Sequence, residues 1–267
     1  MNKLLRFACT LALGLSAANA NAHDLWLKPS STVLSGSDTW ITVDAAVSND
    51  KFYFNHAPLR LNGLAISAPD GSQVEASNAN QGKLRSTFDL QLPQTGTYRI
   101  AVINDGIFAR WKENGQPKRY FGDAKGLAAA VPEKAEELTV TQRSGRIETF
   151  VTAGKPSDLA EAAKGLAVQP VTHPNDLYSG EEATFRLTLD GKPLAGKTIT
   201  VIADGSRYRD QVNEATYTSD KNGEFKVTWK QPGLYWMQTE HDDNLVSVPQ
   251  AKTRHLSYSA TLEVLPL

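Results

Sequence analysis

The sequence predicts an all-β protein: two immunoglobulin-like β-sandwich modules in series, with short helical turns between them. Three observations predict it. Short runs alternate between apolar and polar residues along most of the chain, Asn-Gly and Asp-Gly pairs separate those runs, and one strand-and-corner pattern occurs twice.

The first strands are read from Leu25-Trp26-Leu27, Thr39 to Val43, Phe88 to Leu92 and Tyr98 to Ile103. The second set is Thr184 to Leu189, Lys197 to Ala203, Glu224 to Trp229, Leu234 to Thr239 and Ala260 to Leu265. Alternation with period two buries one face of a strand and leaves the other to solvent. Turns are expected at Asn62-Gly63, Asp70-Gly71, Asp105-Gly106, Asn114-Gly115, Asp190-Gly191, Asp204-Gly205 and Asn222-Gly223, where Gly and its neighbour tolerate positive φ. Gly126 to Leu138 and Ser157 to Leu166 are Ala-rich and predict short helical turns. The second of these lies between Lys155-Pro156 and the next strand and reads as a connection between modules.

The repeat pairs Phe88-x-Leu90-x-Leu92-Pro93-x-x-Gly96-x-Tyr98 with Phe225-x-Val227-x-Trp229-x-x-Pro232-Gly233-x-Tyr235. A tyrosine so placed after a corner is expected to hydrogen-bond back to nearby backbone and fix the crossing between sheets. The domain reading is a signal peptide over 1–22, a sandwich over 23–152, a linker over 153–170 and an immunoglobulin-like sandwich over 171–267.

Lys3 and Arg6 precede the apolar run Phe7 to Leu15, and small residues follow through Ala22. That order reads as an export signal, too short for the ~20 residues of a membrane span. The expected address is the periplasm, with cleavage after Ala22 or after Ala20. A balance of 28 Lys+Arg against 29 Asp+Glu excludes nucleic acid held by bulk attraction. Cys9, the single cysteine, falls in the leader, so neither a disulfide framework nor a thiolate metal site is available.

No nucleophile elbow, phosphate loop, dinucleotide fingerprint or zinc-protease motif is present, and no enzyme activity is expected. Five histidines remain. Cleavage after Ala22 frees an α-amine on His23 itself, beside its imidazole, and cleavage after Ala20 leaves Asn21-Ala22-His23; both termini offer nitrogen donors to a divalent ion. Glu240-His241-Asp242, read as a loop after a strand, offers mixed nitrogen and oxygen donors. His56 stands in an aromatic stretch, Tyr53-Phe54-Asn55-His56. His173, in Thr172-His173-Pro174-Asn175-Asp176, suits a turn better than ligation. Arg110-Trp111-Lys112 and Lys118-Arg119-Tyr120-Phe121 flank Asn114-Gly115 as a basic, aromatic hairpin.

The segments "AHDLWLKPS", "GLAVQPVTHPNDLYSGEEATFRLTLDGKPLAGKTITV", "DKNGEFKVTWKQPGLYWMQ" and "RHLSYSATLEV" resemble an uncharacterised family of exported bacterial proteins with a domain of unknown function. Its members are often labelled periplasmic components of nickel or cobalt uptake systems. The resemblance implies metal binding with His23 and His173 as family-typical residues, and a membrane metal transporter as partner. The second module also resembles immunoglobulin-like sandwiches appended to exported bacterial proteins. The function expected is capture and hand-off of nickel, cobalt or copper, with His23 as anchor and His56, Glu240, His241 and Asp242 as candidates to complete the shell. The alternatives are a metal-free interaction or carbohydrate-binding module, and a redox enzyme on an N-terminal His copper centre. The last needs a second histidine near His23.

Overall fold

The computed structural model describes residues 23–267; the expected leader and both expected cleavage positions lie outside the described residues. The fold is all-β, built from three sheets. A five-stranded sheet carries Asp24–Pro29, Trp40–Ser48, Ser86–Gln91 and Ser77–Gln81 in that spatial order, with Ala57–Pro58 beside Trp40–Ser48. A four-stranded sheet joins Leu166–Pro170, Glu182–Leu189, Lys192–Pro193 and Glu224–Thr228. Between them runs a ten-stranded sheet drawn from both halves of the chain.

Strand alternation explains the layering. Along Glu136–Ala153, Ile147, Val151 and Ala153 point to one face and pack with Val43, Phe88, Tyr98 and Ile100 under the five-stranded sheet. Phe150 points to the other face and packs with Phe185, Val227, Trp229, Leu256 and Tyr258 under the four-stranded sheet. Two sandwiches therefore share one central sheet, each using an opposite face of it.

The two expected sandwiches are present, but the 153–170 stretch is not a simple linker between them. Glu136–Ala153 from the first half pairs in parallel with Thr253–Val264 from the second, in register from Thr141 with Thr253 to Thr149 with Thr261. That ladder welds the halves together. Leu166–Pro170 is already a strand of the second half. The Ala-rich stretch before it is not helical, because tertiary contacts hold it extended: Arg99 Nη1 donates to the Ala160 carbonyl (2.6 Å), and Ser157 exchanges hydrogen bonds with Thr97. Such a short stretch has little helical stability of its own to resist them. The other expected helical turn forms at Ala124–Ala130, where Asp123 caps the Gly126 N–H at 2.7 Å.

Asp105-Gly106 is likewise no turn. It lies inside Gly96–Glu113, where a Cβ on Gly106 would stand 2.9 Å from the tip of the exposed Phe121 ring, which would have to move. The hairpin turn comes later, at Asn114 (φ 52°) and Gly115 (φ 73°), a pair of positive φ values that suits twisted strands. The basic, aromatic hairpin around it is Gly96–Glu113 paired with Gln116–Gly122, with Trp111 turned inward and Phe121 exposed.

Both expected corner tyrosines are in place. The Tyr98 hydroxyl accepts from the Gln94 N–H at 2.8 Å and donates to the Gln94 carbonyl at 3.3 Å. Tyr235 does the same with Gln231, at 3.3 and 2.8 Å. Each tyrosine reaches back four residues and ties off a strand crossing, as in immunoglobulin-like sandwiches.

The Thr172-to-Asp176 stretch is the joint between the halves. His173 Nδ1 accepts from the Asn175 N–H (3.2 Å), and its Nε2 meets Thr97 Oγ1 at 2.9 Å. Asn175 in turn bonds Thr152 and the Phe150 carbonyl. Both ring nitrogens hold hydrogen bonds, in keeping with the turn expected of this stretch rather than with the less favoured ligand role. Burial, above all, lowers the His173 pKa from 6.5 and holds the ring neutral. The unfolded chain takes up this proton near pH 6.5, the folded ring only at lower pH. Stability from His173 is thus complete above pH 6.5 and lost as pH falls below it. Melting temperatures at pH 7.5 and 5.5 should differ less in His173→Gln than in the unaltered chain; an unchanged difference would exclude His173 as a source of acid sensitivity.

Candidate metal centre

His23 immediately precedes the strand Asp24–Pro29, and His56 immediately precedes Ala57–Pro58. Both strands pair with Trp40–Ser48, one on its Asp24-to-Ser48 end and the other at Val47 with Ala57. The sheet therefore brings the two exposed histidines together. Their rings stack with centroids 3.6 Å apart and planes 15° from parallel. Two nitrogens on one ion stand about 2.9–4 Å apart, given metal–nitrogen bonds near 2 Å. Stacked in this way the two rings hold their in-plane lone pairs nearly parallel, so joint ligation requires one exposed ring to turn about its side-chain torsions.

The residues next to this pair in the chain are anchored in the fold. Asp24 is paired with Lys51, and desolvation raises the Asp24 carboxyl pKa although Lys51 opposes the rise. The Lys51 ammonium lies 4.8 Å from the Trp236 ring centroid. The Leu25 carbonyl accepts from Trp236 Nε1 and from Ser259 Oγ, both at 3.0 Å. Beneath them Trp26, Phe52, Ile202 and Trp236 form a small buried cluster. Trp26 Nε1 donates to Ser48 Oγ at 2.7 Å, and Ser48 passes a bond to the Asp50 carbonyl at 2.6 Å. Each polar atom of the buried tryptophans here is thus satisfied.

The Glu240-His241-Asp242 group does not assemble as expected. It is strand, not loop, within Gly233–Asp243, so successive side chains leave on opposite faces. Glu240 lines the same open groove as His23, of about 840 Å³, together with Asn104, Gln238, His255 and Ser257. Asp242 meets His255 Nδ1 at 2.7 Å. His241 faces the other way, its Nε2 3.5 Å from Asp243. Burial first, then the charge of Lys197, pushes the His241 pKa down. Among the described residues, no three His, Cys, Asp or Glu side chains stand close enough to hold a metal ion. What remains is the His23–His56 pair. Only proximity across Trp40–Ser48 marks His56 for this role; its neighbours Tyr53 and Phe54 suggested a pocket wall, not an imidazole facing another imidazole.

A second polar centre was missed entirely from sequence. Glu148, 1% exposed, sits on the opposite face of the central sheet. It accepts from the Tyr258 hydroxyl at 2.7 Å and faces Arg99 and Arg146 at 3.7 and 3.6 Å. Burial and the Glu148 charge push the Tyr258 hydroxyl pKa well up, so it stays a donor. The strand Glu136–Ala153 shows no signal for this, since a carboxylate on a strand is ordinarily solvated.

Among known families, the model described as a domain of unknown function, DUF4198, matches residues 20–243. No curated protein matches the chain. Solved structures with some likeness include the D0-D1 domain of intimin, at 12% identity and TM-score 0.22 over 90% of this chain and 97% of that one. A DUF4785-family protein from Legionella pneumophila shows 8% identity and TM-score 0.25 over 85% and 52%. The human OSCAR ligand-binding domain shows 12% and 0.21 over 91% and 100%.

Proposed function

Because this chain belongs to the DUF4198 family, whose description leaves function open, we propose from its geometry that it binds a divalent transition metal at its processed N-terminus. The carrying observation is the contact between His23 and His56. Cleavage after Ala22 adds the His23 α-amine to two imidazoles, giving three neutral nitrogen donors and no thiolate. Such a set suits copper, nickel or cobalt, and copper binds tightest at a nitrogen site of given geometry. The role is capture and hand-off of the ion in the periplasm, with a membrane metal transporter as the receiver. Exposure of both rings favours exchange over permanent retention. The contact also meets the requirement of a copper redox centre for a second histidine near the terminus, but capture needs no further chemical machinery.

Affinity falls as pH drops, because the amine and both imidazoles bind metal only when deprotonated. The test is calorimetric titration of the exported protein with Cu(II) and Ni(II), after mass spectrometry has identified its first residue. His23→Ala should weaken binding at least about a hundredfold, since it removes the ring that completes the chelate; second-shell changes alone cost 10–100-fold. Equal affinity in the variant would refute His23 as anchor, and a metal-free wild type would leave the groove to a partner protein or a carbohydrate.

A further inference from the structure

The loop 49–56 that ends in His56 belongs to the first half of the chain, yet its outer side is fastened to the second. The Tyr53 hydroxyl hydrogen-bonds the Tyr208 hydroxyl, with ring centroids 6.1 Å apart at 71°. The Arg207 guanidinium covers the Tyr53 ring at 4.5 Å. Both partners come from the single turn Ser206–Tyr208, which is itself fastened. Arg209 donates to the carbonyls of Asp204 (2.6 Å), Ala203 (2.9 Å) and Val212 (3.2 Å). Within the loop, Phe52 is buried at a positive φ of 63°. Non-glycine residues hold that conformation only where their surroundings over-determine it. Asn55 bridges the loop, accepting from the Asn49 N–H and donating to Asp50. The residue after Asn55 is His56.

We infer that the Ser206–Tyr208 turn is a latch that holds the 49–56 loop with His56 opposite His23, so that the second half of the chain sets the metal affinity of a site in the first. This rests on the metal reading above. Tyr208 and Arg207 touch no proposed ligand, so they act as positioning residues. Tyr208 is 78% exposed, and its removal leaves the buried clusters intact, so a variant there folds. If the freed loop presents His56 only about a tenth of the time, apparent affinity falls about tenfold.

The experiment titrates Cu(II) into the chain starting at His23, as wild type, Tyr208→Ala, His56→Ala and the double variant, and follows amide exchange over 49–56 without metal. The expected result is an affinity about tenfold weaker in Tyr208→Ala, no further loss when it is added to His56→Ala, and faster exchange in the loop. Equal losses from Tyr208→Ala in both backgrounds would show that it acts elsewhere than through His56 and would overturn the latch, as would unchanged affinity in the single variant. A wild type that binds no Cu(II) fails the metal reading and removes the affinity claim with it. The exchange measurement then separately decides whether the turn restrains the loop.

Discussion

Glu148→Ala should lower the melting temperature by roughly 10 °C, the largest loss expected from a polar substitution in this protein. Glu148 is buried on the central sheet among Arg99, Arg146 and Tyr258. Removing it leaves two guanidinium groups with side chains only 11% and 21% exposed and without their counter-ion. Breaking a buried pair from one side typically costs about 3–5 kcal/mol, because the remaining charge stays desolvated. For a chain of this size that corresponds to about 2–4 °C per kcal/mol. The geometry tempers the figure: neither arginine reaches hydrogen-bonding distance of Glu148, and one carboxylate oxygen has no hydrogen-bond partner among the described residues. Glu148→Gln keeps the volume and an acceptor for Tyr258, so it should fall between wild type and Ala. Thermal melts of the three proteins decide it. If Ala and Gln melt together near wild type, the charge has no structural role.

Gly63→Ala is expected to destabilise by about 3 kcal/mol, through backbone overpacking with no charge involved. A Cβ on Gly63 would stand 1.9 Å from the Ile103 carbonyl oxygen, and the Ile103 N–H donates to the Gly63 carbonyl at 2.9 Å. The two backbones touch where Leu64–Ser67 joins the edge of Gly96–Glu113, with Leu64 opposite Val102. No side-chain rotation relieves a clash with backbone, so this strand must shift or detach. Gly71→Ala is the control: it meets nothing within 4 Å, and its cost is limited to its φ of 83°. Denaturant unfolding should place Gly63→Ala well below Gly71→Ala. Equal midpoints would mean that the edge strand adjusts freely. Asn62-Gly63 was legible in the sequence as a turn, but the need for glycine is a close approach that only the paired strand reveals.

Local physics in the sequence determined much of this protein. Period-two alternation, Gly-bearing turns and the two Pro/Gly corners before Tyr98 and Tyr235 act over a few residues, and each predicted strand is present. Gly96–Glu113 was read too short, as Tyr98 to Ile103, and Glu136–Ala153 was not read as a strand at all; each runs for 18 residues. The alternation is lost from Gly96 to Val102 and from Ile147 to Ala153, where the central sheet is covered on both faces. Tertiary structure alone decided that the halves share a sheet, that Asp105-Gly106 stays extended, and that His241 turns away while His56 meets His23. Those outcomes depend on strand pairing between residues far apart in the chain, and a one-residue change of register sends a side chain to the opposite face. Sequence proximity grouped Glu240, His241 and Asp242, but the pleat separated them. The same pleat, acting across Trp40–Ser48, joined two imidazoles 33 positions apart.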